Sequence, residues 1–179
     1  MLDGAKALAA GIKEVFDYPV IARCQLHKLR NVRDNLPKNM RGPVTKQMRK
    51  AYHDDSALEA QALLEALAKE LDKTHPGAAG SLREGLHETL TVLRLDVWPT
   101  LARTLRSTNA VESMISISRD HSRNVKRGRD GQMALRWCAA GMVEASKQFR
   151  RVNGHPHLPA LRTALERHVG AQICRNRLQ

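Results

Sequence analysis

Pro19-Val20-Ile21-Ala22-Arg23-Cys24, followed at once by Gln25-Leu26-His27-Lys28-Leu29, is the stretch on which the fold turns. A short β-branched, apolar run behind a proline reads as a strand over 19–24, and the polar residues after it start a helical pattern. Upstream, Ala5, Leu8, Ile12 and Val15 share one stripe of a helix over 4–15 that ends before Pro19. Asp3-Gly4 would then lie at the C-terminal end of an earlier strand of which Met1-Leu2 is the stub. Strand end, helix and strand together make half of a βαβ unit.

Downstream of Cys24 the periodicity is helical throughout. Leu26, Leu29, Val32 and Leu36 form a stripe that stops at Pro37, and Gly42-Pro43 is expected to open a second helix reaching Tyr52. Ser56-Ala57-Leu58-Glu59 is a capping box ahead of a helix to about Lys73, which His75-Pro76-Gly77 breaks. A further helix is expected over 79–93, then a short segment from Val97-Trp98-Pro99 to Ser107. Helices over 131–151 and 158–169 complete the pattern, the former with Ala134, Cys138, Met142, Ala145 and Phe149 at core spacing. Aromatic residues are only 3% of the 179 residues, so the core must come from Leu, Ala, Val, Ile and Met, a composition that favours helices.

The net charge of +12 is uneven: residues 1–54 carry +6, residues 55–118 carry −3 and residues 119–179 carry +9. Two basic ends flanking an acidic middle suit a polyanion partner, because each phosphate contacted releases condensed counterions. No apolar run is long enough for a membrane span and the N-terminus lacks the pattern of a secretory signal, so a cytoplasmic chain without a membrane partner is expected. Cys24, Cys138 and Cys174 are odd in number and widely spaced, which argues for reduced thiols.

Among motifs that carry chemistry, Thr108-Asn109-Ala110-Val111-Glu112-Ser113-Met114 reads locally as a helix start, with Asn109 as N-cap and Glu112 in the capping-box position. Cys24-x-x-His27 has the spacing of half a zinc site, but only His155 and His157 stand as further ligands and no second pair follows. Lys28, Arg30 and Arg33 read more naturally as phosphate contacts. A Gly-rich phosphate loop, Gly-x-Ser-x-Gly and His-Glu-x-x-His are all missing, leaving P-loop hydrolysis, serine hydrolysis and zinc proteolysis without support. Asp3 and Glu112 remain as hard oxygen ligands suited to Mg²⁺, although a two-metal site wants a third carboxylate. Arg119-Asp120-His121-Ser122-Arg123-Asn124-Val125-Lys126-Arg127-Gly128-Arg129, dense in cations, reads as a loop or exposed helix end.

Taken together, Asp3-Gly4-Ala5-Lys6-Ala7-Leu8, Arg23 to Val32 and Ser107 to Ser113 resemble the catalytic-domain signature of mutator-type bacterial insertion-sequence transposases, DDE enzymes with an RNase H-like fold interrupted by a helical insertion. Three separated motifs in order and with suitable spacing, over nearly the whole chain, are far more specific than any one. The resemblance implies that Asp3 is the second Asp and Glu112 the Glu of the catalytic, metal-binding triad, with Cys24 and His27 the family's Cys-x-x-His motif. It implies Mg²⁺ or Mn²⁺ as cofactor, DNA at element ends and target as partner, and a homo-oligomer. Lys28, Arg30, Arg119, Arg123, Lys126, Arg127 and Arg129 would face DNA. Trp98 resembles the tryptophan that some related transposases stack on a flipped base, with core packing as the alternative.

The expected fold class is therefore mainly α with a small β remnant: an RNase H-like core over residues 1–32, a helical insertion over 33–106, and C-terminal core helices with the basic segment over 107–179. Because the strand bearing the first Asp lies upstream of Asp3 in this family, the chain reads as the C-terminal part of a transposase, inactive alone. The alternative is a catalytically dead DNA-binding helical remnant.

Overall fold

The computed structural model describes residues 2–125 and 128–177. Met1–Ser107 together with Gly154–Gln179 form one compact unit and Thr108–Asn153 a second. The first unit begins with an extended Leu2, then helix α1 (Lys6–Val15), and after an irregular turn the extended segment 19–24. Four helices follow: α2 (Gln25–Asp34), α3 (Lys38–Tyr52), α4 (Ala57–Asp72) and α5 (Pro76–Arg83). Two single turns, α6 (Leu86–Thr89) and α7 (Thr91–Arg94), lead to α8 (Pro99–Leu105). The second unit pairs α9 (Asn109–Ser122) with α10 (Gly131–Ser146), and the chain returns to the first through a 3-10 turn at His155–His157 and α11 (Leu158–Arg177).

Helices dominate, as composition demanded, but the strand expected over 19–24 is not formed. Its β pairing is one parallel bridge, Leu2 to Arg23, in which Leu2 N–H donates to Ala22 O and Cys24 N–H to Leu2 O, both at 2.8 Å. The reason lies in what occupies the other side. Arg23 N–H donates to Glu88 O at 2.9 Å, and the Thr91 hydroxyl donates to Ile21 O at 2.9 Å. Helical turns α6 and α7 thus take the backbone groups that a next strand would have used.

The core lies where α2 to α6 meet. Leu29, Val32 and Leu36 from the first stripe pack with Val44, Met48 and Tyr52 of α3, Leu64, Leu67 and Leu71 of α4, and Leu82, Leu86 and Leu90 beyond. Ser56 caps α4 as expected, its hydroxyl accepting from Glu59 N–H at 3.3 Å, while Asp54 rather than Glu59 takes the Ser56 N–H. Arg83 forks onto the Asp72 carboxylate and fastens α5 back on α4.

Several boundaries differ from the sequence reading. Helix α3 starts at Lys38, so Pro43 lies inside it rather than at its head. Gly42 makes that tolerable: without a Cβ it has nothing to strike the following proline ring, which normally forces its predecessor out of helical geometry. The single helix expected over 79–93 is instead three pieces, cut at Gly85, whose φ of +62° is left-handed. A Cβ there would come within 2.5 Å of Arg23 Cζ, so that position favours glycine twice over. Gly154 has φ +81° and lies so close to α8 that a Cβ would meet Leu101 N at 2.4 Å. Helix α11 runs well past Val169.

Burial pushes the Tyr52 hydroxyl up to about 12, with the Thr89 side chain opposing the shift. A phenol whose folded pKa is raised stabilises the fold fully below its unfolded value near 10 and loses that contribution as pH climbs toward 12. Chemical denaturation of the chain is expected to show stability falling across that window, and Tyr52→Phe is expected to remove that component. Truncation inside the same core, Leu64→Ala, is expected to cost about 2–5 kcal/mol at neutral pH.

Candidate metal and nucleic-acid site

Asp3 is placed by the bridge that holds Leu2. Directly after it Gly4 takes φ +114°, and the Asp3 carboxylate, exposed, accepts from Ala5 N–H at 3.0 Å through Oδ1. The short side chain therefore fixes its own turn ahead of α1 and leaves Oδ2 for another partner.

The bridge in turn is held by Arg23. Its side chain is 11% exposed; Nε donates to Glu88 Oε2 at 3.0 Å, and one terminal nitrogen donates to Glu84 O at 3.1 Å. The guanidinium runs past Gly4 and Gly85, where a Cβ would lie 3.6 and 2.5 Å from its carbon. Gln25 adds a second tie, its backbone N–H reaching Arg106 O at 2.9 Å and its side-chain amide reaching Thr89 O at 3.0 Å. Asp3 is thus positioned by Glu84 and Glu88 around the α5–α6 turn, far away in sequence, as much as by its own neighbours.

Lys28 does not present its ammonium as a phosphate contact. The side chain is 1% exposed, and Nζ donates to Ser81 O and Glu84 O, both at 2.6 Å, with the Glu84 carboxylate 3.9 Å away. It serves instead as the C-terminal cap of α5, satisfying carbonyls that the helix itself leaves open. Burial, with Arg23 nearby, lowers its pKa, and Glu84 and Glu88 oppose this. Its position one turn before the buried core residue Val32 was the available signal. Arg30 and Arg33 are exposed.

Cys24 is buried just before α2 and forms no disulfide, and His27 is half-buried on the first turn of that helix. Among the described residues no group of three or more His, Cys, Asp or Glu stands close enough to hold a metal ion. Trp98 is 60% exposed, which removes the core-packing reading, and its indole stacks on His157 with ring centroids 5.0 Å apart and planes 19° apart. One face of the indole is therefore already covered.

In the second unit Glu112 lies in the first turn of α9, exposed, and receives a hydrogen bond from the Thr108 hydroxyl. The capping box expected from the sequence is corrected here. Thr108 is the N-cap residue, Asn109 is the first helical residue, and the Thr108–Glu112 side-chain bond replaces the expected Asn109 cap. Helical spacing puts Arg119 and Arg123 within about 20° of Glu112 around the α9 axis, so a carboxylate and two exposed cations share one stripe. The basic stretch is helical to Ser122 rather than loop; Arg129 is exposed, and Lys126 and Arg127 lie outside the described residues.

The pairing of α9 with α10 depends on Gly141. A Cβ there would meet Ser118 Oγ at 2.9 Å and its carbonyl at 3.0 Å, so glycine sets the approach. Asp130 caps α10 by accepting from Met133 N–H at 2.7 Å. Of the core-spaced residues expected in α10 only Ala145 is buried; Ala134, Cys138 and Phe149 are exposed.

These placements separate structural from surface cations. Lys28→Met is expected to lower stability by about 1–3 kcal/mol through the two orphaned carbonyls, and to leave the salt dependence of DNA binding unchanged. A loss of one counterion-release increment on that substitution would restore Lys28 to the nucleic-acid surface.

Comparison with known proteins agrees with the motif register. A family model described as "Transposase, Mutator family" matches residues 1–152. Over 160 residues the chain is 28% identical to the transposase for insertion sequence element ISRM5 of Rhizobium meliloti (strain 1021). That match covers 89% of this chain and 40% of the relative, so the chain spans about 40% of the length of the curated relative it matches. No solved structure matches. The family match takes in Asp3, Cys24, His27, the helical segment and Glu112, and the chain belongs to the Mutator family of transposases.

Proposed function

We propose that this chain supplies part of the catalytic centre of an insertion-element transposase of DDE type, with Asp3 and Glu112 as two of three carboxylates that bind catalytic Mg²⁺ or Mn²⁺. The observation that carries the reading is that both motif acids, within the span of the family match, are exposed carboxylates at helix starts that receive a local hydrogen bond: Asp3 from Ala5 N–H, Glu112 from the Thr108 hydroxyl. An RNase H-like core is the frame proposed for them, with the parallel Leu2–Arg23 bridge as its trace in this chain.

The donor chemistry suits a hard divalent ion, but the donor number does not: among the described residues no three-ligand cluster is assembled. When bound, such ions activate the attacking oxygen and stabilise the leaving oxygen in phosphodiester transfer. The roles argued for this chain's own residues are positioning ones. Arg23 and Glu88 hold the bridge that sets Asp3, Thr108 orients the Glu112 carboxylate, and Arg119 and Arg123 offer charge to DNA phosphates along the same stripe. DNA at element ends and target is the proposed substrate, acted on by a homo-oligomer. No described helix is long and apolar enough to cross a membrane.

Transposition in cells tests the assignment. In a complete transposase carrying this sequence, Glu112→Gln is expected to reduce transposition at least about 100-fold, roughly 2.7 kcal/mol of barrier, with DNA binding retained. Transposition at the normal rate would remove Glu112 from the metal site. The 179-residue chain by itself is expected to bind duplex DNA without joining strands; Mg²⁺-dependent strand transfer by it would overturn the requirement for a further carboxylate.

A further inference from the structure

The cleft between α2 and α3 in the first unit has a volume of about 350 Å³ and is lined by Arg33, Arg41, Gly42, Thr45, Lys46 and Arg49. Four cations and no acid face one space. Residues 25–52 carry eight Lys/Arg against one acid, Asp34, so most of the positive charge of the N-terminal segment sits on these two helices.

Fold stability does not account for the arrangement. Arg33 and Arg49 stand in last turns, where cations offset the helix dipole, but Arg41 stands in the first half of α3, whose first turn holds no acid. Lys46 and Arg49 are a like-charged i, i+3 pair, which is mildly unfavourable. Among the described residues Arg33, Lys46 and Arg49 make no ion pair, and Arg41 uses only Nε, donating to Leu36 O at 2.9 Å. The wall also holds a hydroxyl with its hydrogen bond unmade: Thr45 Oγ1 is shielded and has no partner. Gly42 leaves the backbone of the cleft bare, since a Cβ there would meet nothing within 4 Å.

Such a surface is costly when empty and favourable when an anion fills it. We propose that the α2–α3 cleft grips the sugar-phosphate backbone of duplex DNA, through Arg33, Lys46 and Arg49 with Arg41 and Thr45 behind them. An open cleft larger than one phosphate group, lined by long cationic side chains, fits a polymeric anion with successive charges better than a free phosphate ion. The inference rests on DNA being the partner, but concerns a surface separate from Asp3 and Glu112.

The test is the salt dependence of binding of the full 179-residue chain to a short mixed-sequence DNA duplex, read by fluorescence anisotropy. For Arg33→Gln/Lys46→Gln/Arg49→Gln the slope of log affinity against log salt is expected to shrink by about 2–3, at roughly 0.9 per lost phosphate contact. Lys46→Gln alone, the milder variant, is expected to shrink it by about 1, and thermal melting checks that each variant is folded. A control triple of cations elsewhere in the unit, Lys13→Gln/Lys69→Gln/Lys73→Gln, is expected to change it by less than about 1. Equal effects of the two triples would overturn the cleft in favour of a diffuse field. So would full competition by millimolar inorganic phosphate, which marks a small-anion site, or a strong preference for duplex RNA. Because Glu112→Gln is scored by transposition and these variants by binding, the two assignments can fail separately.

Discussion

The grip of Arg23 on Glu84 and Glu88 is the constraint on which the first unit depends. A single parallel bridge between two extended residues has little stability of its own, since strands gain it from continued pairing and a covered face. Here the neighbouring strand is replaced by side chain and helix end. Arg23 spends its backbone N–H on Glu88 O and its guanidinium on the Glu88 carboxylate and Glu84 O, and the buried Lys28 closes the same helix end from the other side. Two basic residues in the Arg23–Lys28 segment therefore act as structural ties into the acidic helical segment. That segment's charge, opposite in sign to the ends of the chain, is what lets them be buried there.

The two units differ in how they are stabilised. The first has a conventional core of Leu, Met, Ala and Tyr between α2 and α6, with Met48, Leu64 and Leu90 fully enclosed. The second is a helix pair whose buried residues are small, Gly141 and Ala145 on α10, while Leu135, Trp137 and Val143 remain exposed. Two helices joined this way have too few partners to enclose large side chains, so the pair is set by close approach at Gly141 rather than by interdigitation. Glu112 sits on this unit, fixed by α9 and Thr108.

Much of this was legible in the sequence, and the failures have physical causes. Periodicity located α1, α2 and α4, and Ser56 marks a helix start because capping is a local effect; Pro76, which reads as a break, is itself the first residue of α5, where a proline is tolerated. No strand forms over 19–24 because β-branched residues report a preference, whereas a strand needs a partner, and the partner side is taken by Glu88 O and Thr91. Pro43 reads as a helix start, yet it lies inside α3, because the relief that Gly42 gives it depends on a missing Cβ. Lys28 looked like a surface cation because charge patterning cannot see that two carbonyls, more than fifty residues away, wait for its ammonium. At the site, the motifs single out Asp3 and Glu112, but their exposure and their hydrogen bonds come from the fold, and the helix cap lies at Thr108, one residue before Asn109.

The central claim is that Asp3 and Glu112 bind the same catalytic ions. Its most direct test is local backbone cleavage by Fe²⁺ substituted for Mg²⁺ in a complete transposase bound to element-end DNA, with ascorbate and peroxide generating hydroxyl radicals at the metal. The account predicts two clusters of cuts in this sequence, one beside Asp3 and one beside Glu112, both suppressed by excess Mg²⁺. Cuts confined to other segments, or cuts at one acid that persist when the other is replaced by its amide, would contradict it.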